Sequence, residues 1–587
     1  MQSNPNTPFS YEPFPNSGLV AYFSMEIAIN PNMPTYSGGL GMLAGDTLRS
    51  AADLGIPLVA FTLAHRKGYF QQHLNGTGEQ SEEVQPWNPA DFCKVESARI
   101  TVSVEDRVVT VRAWRYEMVG RSGHVVPIYL LDTDLEGNSG WDRGLTDHLY
   151  GGDTNYRLQQ EIVLGMGGAR MAQALGLTVN VYHMNEGHAA LLTLALLEGQ
   201  LGGGPLGAAT ESDIAQVRRK CVFTTHTPVP AGHDRFSTEQ SIRILGGDRT
   251  ARLEKLGCFQ EGLLNMTLLA LRFSRYANGV AMQHGKVSRE MFPQFSIDSI
   301  TNGVHAPTWI SEPVQQLLEL HIPAWHRDNL YLRNAIDLPE QEVLKAHSRA
   351  KEALLAEVAS RSGLVLNPRV LTLGFARRAA TYKRASLLFT DPERLLKIAT
   401  GAGGLQILYS GKAHPQDFPG KALIHDVIET ARKLSSDMLR IVYLENYGWD
   451  LGALLTAGVD VWVNTPRRPY EASGTSGMKA AMNGVPSLSI LDGWWIEGCI
   501  EGVTGWAIED GANDAEEAVS LYDKLEKSVV PLYLGAPERW ARMMRTTLAF
   551  NGSYFNTNRM VKQYNRNAYY PVKLIEPAQV EEAAYAD

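Results

Sequence analysis

Short runs of Val, Ile, Leu and aromatic residues, each followed by a small-residue or polar loop and an amphipathic helix, recur along this chain and leave few folds open. In the first half GLVAYFS, IPLVAFTL, VNVYHMN and KCVFTTHT have this form, with EIVLGMGGARMAQALG a helix between the second and third. In the second half the runs are RVLTLGFA, LQILYSG, RIVYLEN, VDVWVN and PSLSILDG. A strand apolar on both faces belongs in a sheet covered on both sides, and strands alternating with helices build parallel sheets. The pattern predicts an α/β fold with two doubly wound blocks, joined near residues 303–345, and a cleft between them. Around residues 100–132, RITVSV, RVVTVRAWRYEM and VVPIYLLD alternate like antiparallel strands, which predicts an extra sheet or hairpin on the first block.

A chain of 587 residues is too long for one hydrophobic core, which supports the division. Its net charge of -9 argues against nucleic acid or an anionic membrane as main partner, but a local basic pocket for a small anion remains open. Cys93, Cys221, Cys258 and Cys499 are scattered without CxxC spacing, as in a reduced cytoplasmic protein rather than a disulfide scaffold or zinc site. The opening MQSNPNTPFSYEPFPNSG lacks the pattern of a secretory signal, and no apolar run has the length of a membrane span. The closing EPAQVEEAAYAD reads as a loose acidic tail.

Three polar segments fall at strand ends, where open α/β sheets bind ligands. In YSGGLGMLAGDTLRSAADLG (36–55), Gly38, Gly39 and Gly41 precede an Ala- and Leu-rich helix. Such a cluster serves either as a tight turn for close helix packing or as a backbone cradle for an anion. GFARRAATYKRASLLF (374–389) gathers Arg377, Arg378, Lys383 and Arg384 just beyond a strand. Four such cations repel one another unless an anion sits among them, and Arg grips phosphate through paired N–H groups; a solvated basic turn is the alternative. RRPYEASGTSGMKAAMNG (467–484) sets Lys479 behind a Gly, Ser and Thr run and ahead of a short apolar stretch. Exposed N–H groups there can hold a phosphate within reach of the lysine, which is otherwise a solvated surface charge.

Histidines also collect near strand ends. VNVYHMNEGH and FTTHTPVPAGHDRF place His183, His188 and His226, and SITNGVHAPTWI places Asn302, His305 and Trp309 at the apparent junction. His183 and His188 do not reproduce the HExxH helix-face geometry, so no metal is expected; Asn185, Glu186 and His188 read as a hydrogen-bonding edge. The sequence contains no GxSxG elbow, P-loop or dinucleotide fingerprint.

Taken jointly, these motifs resemble those of the α-glucan phosphorylases, the glycogen, starch and maltodextrin phosphorylase family, in its compact microbial branch. EASGTSGMK is similar to the family's EASGTGNMK, GFARRAATYKR to its KRIHEYKRQ segment, and YSGGLGMLA to its GNGGLGRLA loop. LYSGKAHP, VYLENY and TNGVHAPTW match further blocks in the same order, so the resemblance runs from about residue 20 to about 570. The regulatory N-terminal extension of the family has no evident counterpart in this sequence. Arg377 stands where the family often has Lys, Ser476 and Gly477 alter the glycine loop, and Gly448 and Trp449 follow LENY where Arg is usual.

The resemblance implies the GT-B fold, two Rossmann-like domains facing across a deep cleft. The expected division is an N-terminal domain with an extra β-hairpin region (1–310), a cofactor-binding domain (311–555), and a segment (556–587) packing back toward the first. It implies pyridoxal 5'-phosphate held on Lys479 as a covalent Schiff base, with Gly39, Arg377, Gly474, Thr475 and Gly477 about its phosphate and Trp309 and Tyr447 nearby. Arg378 and Lys383 would hold inorganic phosphate, while Glu471, Ser473, Gly474, Gly38, His226 and Asn302 would bind the terminal glucose. The implied reaction is reversible, retaining phosphorolysis of α-1,4-glucan to α-D-glucose 1-phosphate, with Lys383, Arg378 and Lys479 as its catalytic group. In it the cofactor's phosphate, rather than its ring, relays the proton. The implied partners are α-glucan and inorganic phosphate or glucose 1-phosphate, with no nucleic acid or membrane, and with room for a homo-oligomer. A nucleotide-sugar glucosyltransferase of the glycogen-synthase type shares the architecture and a basic strand-end pair but needs no lysine-bound cofactor.

Overall fold

The computed structural model describes residues 18–571; the N-terminal stretch read as lacking a signal and the acidic tail lie outside the described residues. The first half supplies β1 (Leu19–Ser24), β2 (Leu58–Leu63), a hairpin of β3 (Gln71–Leu74) and β4 (Gln80–Glu83), β5 (Lys94–Val104), β6 (Arg107–Val119) and β7 (Val125–Asp132). It continues with β8 (Val179–Asn185), β9 (Cys221–Thr224), the short β10 (Arg235–Ser237), β11 (Phe259–Gln260) and β12 (Leu263–Asn265), then β13 (Tyr276–Gly279) and β14 (Asp298–Ser299). Nine of these form one sheet in the order β14-β13-β9-β8-β1-β2-β7-β6-β5. Its central pairs are parallel, and β1, β2 and β9 are buried almost throughout, as the apolar runs require.

The antiparallel strands expected as a separate decoration are instead the far edge of this same sheet. β7 runs parallel to β2 with Ala60 opposite Ile128, while β6 pairs antiparallel with both β7 and β5. The reason lies in their burial. β7 is apolar on both faces toward its end and joins the covered sheet, whereas β5 alternates and shows one face to water.

The second half builds a six-stranded, wholly parallel sheet in the order β17-β16-β15-β18-β19-β20. Its members are β15 (Leu371–Ala376), β16 (Leu405–Ser410), β17 (Leu439–Leu444), β18 (Val461–Asn464), β19 (Ser487–Ile490) and β20 (Gly505–Ile508). Strand order reverses between β15 and β18, and in the first sheet between β1 and β8. Chains leaving two strands on either side of such a reversal diverge over opposite faces and open a crevice at the strands' carboxyl ends. The segments beginning at Met25, Glu186, Arg377 and Thr465 are the ones so placed.

After the second sheet the chain returns to the first. Tyr569 Oη lies 2.8 Å from His183 Nδ1, Tyr564 Oη bonds to Thr224 and Asn278, and Thr557 meets Ser50 at 2.6 Å. All four cysteines are free thiols. Among the described residues no helix is long and apolar enough to cross a membrane, and no group of three or more His, Cys, Asp and Glu side chains is arranged to hold a metal ion.

Candidate active site

The two loops at the β15–β18 reversal are tied together by their own residues. Arg467 N donates to Tyr382 O at 2.7 Å, and Thr465 Oγ1 to the carbonyls of Lys383 and Arg384 at 3.0 Å. The structure divides the four cations of this segment. Arg384 turns away, donating to Thr465 O and Pro466 O and pairing with Asp514 and Glu517, so it is a clamp between loops. Arg377 and Lys383 converge on the Glu471 carboxylate, Arg377 at 2.8 Å and Lys383 in closer contact. Burial alone would raise the Glu471 carboxyl, but Lys383 and Arg377 outweigh it and hold it down at about 2. Two further nitrogens of Arg377, Nε and Nη1, are buried without a hydrogen-bond partner. Arg378 is open to solvent and feels the neighbouring Tyr382, Tyr69 and Tyr150.

Lys479 is 6% exposed on the helix Thr475–Ala481, whose cap Gly474 has φ 86, a left-handed value that favours glycine. At Gly477 an added Cβ would lie 2.7 Å from the Trp494 ring, so the loop admits no side chain there. The Lys479 ammonium sits 3.6 Å from the centre of the Trp309 ring, and Trp309 stacks on Trp449 at 6.1 Å. Burial pushes this amine down to about 8, with Asp46 opposing. Asp46 is fixed by Trp309 Nε1 at 2.6 Å and the His305 N–H at 3.1 Å. Tyr447 is enclosed and stands near enough to Arg377 to feel its charge. Where LENY lacks a following Arg, Gly448 caps the next helix and Arg49 lies over the Trp449 ring at 4.5 Å, so a cation reaches this wall from the other half.

The first sheet contributes its own loop ends. A Cβ at Gly38 or Gly39 would meet nothing within 4 Å, whereas one at Gly41 would strike Glu26 at 2.6 Å and one at Gly45 would lie 2.1 Å from Ala28 O. The turn-versus-cradle alternatives are therefore separated by position: Gly41 and Gly45 serve packing, and Gly38 and Gly39 face open space. Glu26 holds this loop, accepting from Ser37 N at 2.5 Å, Gly38 N at 3.2 Å and Tyr150 Oη at 3.0 Å. His226 Nε2 lies 2.7 Å from Asn185 Oδ1, its N–H donates to Glu186, and burial pushes its imidazolium down to about 4, so it is neutral near pH 7. Asn302 Oδ1 and Ser473 Oγ are buried without partners, two polar atoms left for something else to bind.

These groups sit at carboxyl ends of strands from both sheets, bridged by Tyr36 Oη to Trp449 N at 3.0 Å and by His414 to Tyr150 O at 3.0 Å. A sequence model of the carbohydrate phosphorylases matches residues 229–504, the span that holds Arg377 through Lys479. The maltodextrin phosphorylase of Thermococcus litoralis is 39% identical over 93% of this chain and 70% of its own length. The chain belongs to the carbohydrate phosphorylase family. It is also similar to the glycogen phosphorylases of Mycobacterium tuberculosis (37% identical, 94% of this chain and 71% of that protein) and Aquifex aeolicus (35% identical, 94% and 86%).

Sequence reasoning missed four groups in this candidate site: Glu26, Asp46, Tyr150 and Asp492. Asp492 accepts from Glu471 N at 2.9 Å, and burial raises its carboxyl to about 6. Glu26 carried a usable signal, since it stands two residues beyond β1 at the strand-order reversal. Asp46 and Tyr150 lie inside or after helices and acquire meaning only from the partners that folding brings to them.

The Glu471 pair makes a pH-dependent contribution. An unfolded Glu titrates near 4.5 and the folded one at about 2, so between those values the unfolded chain binds more protons and stability falls as pH drops below about 5. The difference is on the order of 3 kcal/mol, by the conversion of roughly 1.36 kcal/mol per pH unit. In urea melts between pH 6 and 3.5, Glu471→Gln is expected to lose stability less steeply than the parent. Equal slopes would show that the carboxylate is not held by the two cations.

Proposed function

We propose that the protein phosphorolyses the terminal α-1,4-linked glucose of α-glucans such as glycogen, starch or maltodextrin, giving α-D-glucose 1-phosphate reversibly and with retained configuration, in a pyridoxal-phosphate-dependent reaction. We propose with it the GT-B arrangement, with domains 1–310 and 311–555 across a cleft and 556–587 returning to the first. One observation carries the reading: a buried lysine with a lowered pKa stands at the same strand-order reversal as a separate set of three cations, Arg377, Arg378 and Lys383. An enzyme that only bound sugar would need neither.

The residues fit the cofactor. Lys479 is free of ion pairs among the described residues and readily loses its proton, as an amine must before it joins a carbonyl. Trp309 lies against it, Tyr447 stands near Arg377, and Arg377 keeps two buried, unpaired nitrogens that an anion can take. Gly474, Thr475 and Gly477 open the helix start, and Gly39 leaves room from across. Bound there, pyridoxal phosphate supplies an acid–base phosphate beside the substrate phosphate.

The chain's own groups do the rest. Inorganic phosphate is bound by Arg378 and Lys383, and its negative charge takes over the contact that Glu471 now makes with Lys383. Glu471, released, accepts from hydroxyls of the terminal glucose, whose other edge meets Ser473, Gly474, Gly38, the neutral His226 and the unpartnered Asn302 amide. The clustered cations offset repulsion between neighbouring phosphates and the charge that moves as the glycosidic bond breaks. The enclosing loops keep competing water from the cationic carbon.

Maltodextrin and phosphate, incubated with protein supplemented with pyridoxal phosphate, are expected to yield glucose 1-phosphate in proportion to phosphate. Its absence with any α-glucan would overturn the reading.

A further inference from the structure

The charge that opposes the burial of Lys479 comes from the other half of the chain: Asp46, on the helix Gly39–Asp53 and 1% exposed. Its Oδ2 accepts from Trp309 Nε1 at 2.6 Å and from the His305 N–H at 3.1 Å. The ring against which the ammonium rests is therefore fixed by this carboxylate. Its Oδ1 is buried without a hydrogen-bond partner and lies 3.5 Å from Arg49 Nη1. Arg49 is itself divided, since its Nη2 donates to the carbonyls of Ala28 at 2.9 Å and Ile29 at 2.8 Å, and its guanidinium lies over the Trp449 ring. A buried carboxylate oxygen with no donor is costly unless cations nearby offset its charge.

The elements packed around the lysine carry few other charges. Lys479 is the only ionisable side chain of its own helix, Thr475–Ala481. β18, β19 and the segment Leu548–Gly552 pack against that helix and carry none. The helix Trp449–Gly458 brings only Asp450, which is exposed, and Tyr447 before it is a phenol that burial pushes up to about 12. The His305 ring is turned to Asp53 at 2.9 Å and Thr308 at 2.7 Å, and Glu471, on the loop before the lysine's helix, is taken by Arg377 and Lys383.

We propose that Asp46 is the positioning residue of Lys479: it holds Trp309 against the amine and, as the amine's counter-charge, sets the pH range over which Lys479 condenses with pyridoxal phosphate. The proposal rests on the assignment of that cofactor to Lys479. Only the unprotonated amine has the lone pair that attacks the aldehyde carbon; a C=N bond replaces C=O, and the oxygen leaves as water with the two amine protons. A nearby carboxylate favours the ammonium form, so Asp46 works against the burial that pushes the amine down to about 8. Removing its charge lowers the pH at which the proton leaves, and removing Arg49 raises it.

The full chain, stripped of cofactor, is mixed with pyridoxal phosphate at a series of pH values from about 7 to 9.5 and quenched with borohydride at intervals. The adduct on the Lys479 peptide is quantified by mass spectrometry, and in the parent its rate of formation should rise with pH to a plateau. Asp46→Asn keeps an acceptor for Trp309 and His305 but not the charge. Its midpoint should fall by at least about half a pH unit, with uptake near pH 7 at least about threefold faster. Asp46→Ala should show the same fall and, with Trp309 released, lose unreduced cofactor on dilution at least about fivefold faster than Asp46→Asn, as for a lost hydrogen bond. Arg49→Gln, which strips Asp46 of a cation, should move the midpoint upward by about half a unit. A merely structural role would lower melting temperatures and leave the midpoints in place. An unmoved midpoint in either Asp46 variant, a gain uniform across pH, unchanged retention in Asp46→Ala, or no upward shift in Arg49→Gln would each overturn the proposal and leave the cofactor assignment intact. No adduct on Lys479 of the parent at any pH would overturn both.

Discussion

Lys479→Ala is expected to purify without covalently held pyridoxal phosphate and to lose phosphorolysis by at least about 10³-fold, the scale on which loss of an essential group is felt. The expectation follows from where the amine stands. It is buried against Trp309, makes no ion pair among the described residues, and its proton leaves at about 8. Its removal strands no partner, because Asp46 keeps its bonds from Trp309 and His305. The variant should therefore melt close to the parent when both are stripped of cofactor. Lys479→Arg separates charge from chemistry: a guanidinium keeps the positive charge but cannot condense with a carbonyl, and it should be as inactive as the alanine variant. An arginine variant with substantial activity would mean that Lys479 acts only as a charge.

Arg378→Ala should lower kcat/KM for phosphate by about 10²–10³-fold with little change in melting temperature, as for loss of one preorganised donor to a developing charge. Arg378 is solvent-open and has no carboxylate partner among the described residues, so its removal uncovers no buried charge. Lys383→Ala behaves differently. A residue that only held phosphate would cost rate far more than stability, but Lys383 is buried and paired with Glu471. Breaking a buried pair from one side costs about 3–5 kcal/mol, reduced here because Arg377 still holds the carboxylate. The lysine variant should lose both rate and several degrees of melting temperature, and the comparison with Arg378→Ala separates the two effects. A stability loss with normal turnover in Lys383→Ala would remove it from the phosphate site.

Much of this was legible before folding was considered. The apolar runs named β1, β2, β8, β9 and β15 through β19, because strands buried on both faces leave an uninterrupted signature. β13, β14 and β20 escaped: YANG, DS and GWAI are two to four residues long and lack a clean period. β5 to β7 were read as strands but not as members of the main sheet, since pairing partners far apart in sequence are not written in local alternation. The cations of the basic segment were visible, but their division was not. Arg384 clamps a neighbouring loop while Arg377 and Lys383 meet Glu471, and that depends on which carboxylates the β18 side delivers. Gly38 and Gly41 likewise look alike in sequence, and only the three-dimensional neighbours show that one faces Glu26 and the other open space.

The central claim is that the glycine-loop lysine carries the cofactor, and one measurement addresses it most directly. The full chain is loaded with pyridoxal phosphate, reduced with borohydride, digested, and its peptides mapped by mass spectrometry. The expected result is a reduced pyridoxyl phosphate adduct on the peptide containing Lys479, at near one equivalent, and none in Lys479→Ala. A label on Lys383, Lys412 or another lysine with Lys479 unmodified, or no label at all, would contradict the account.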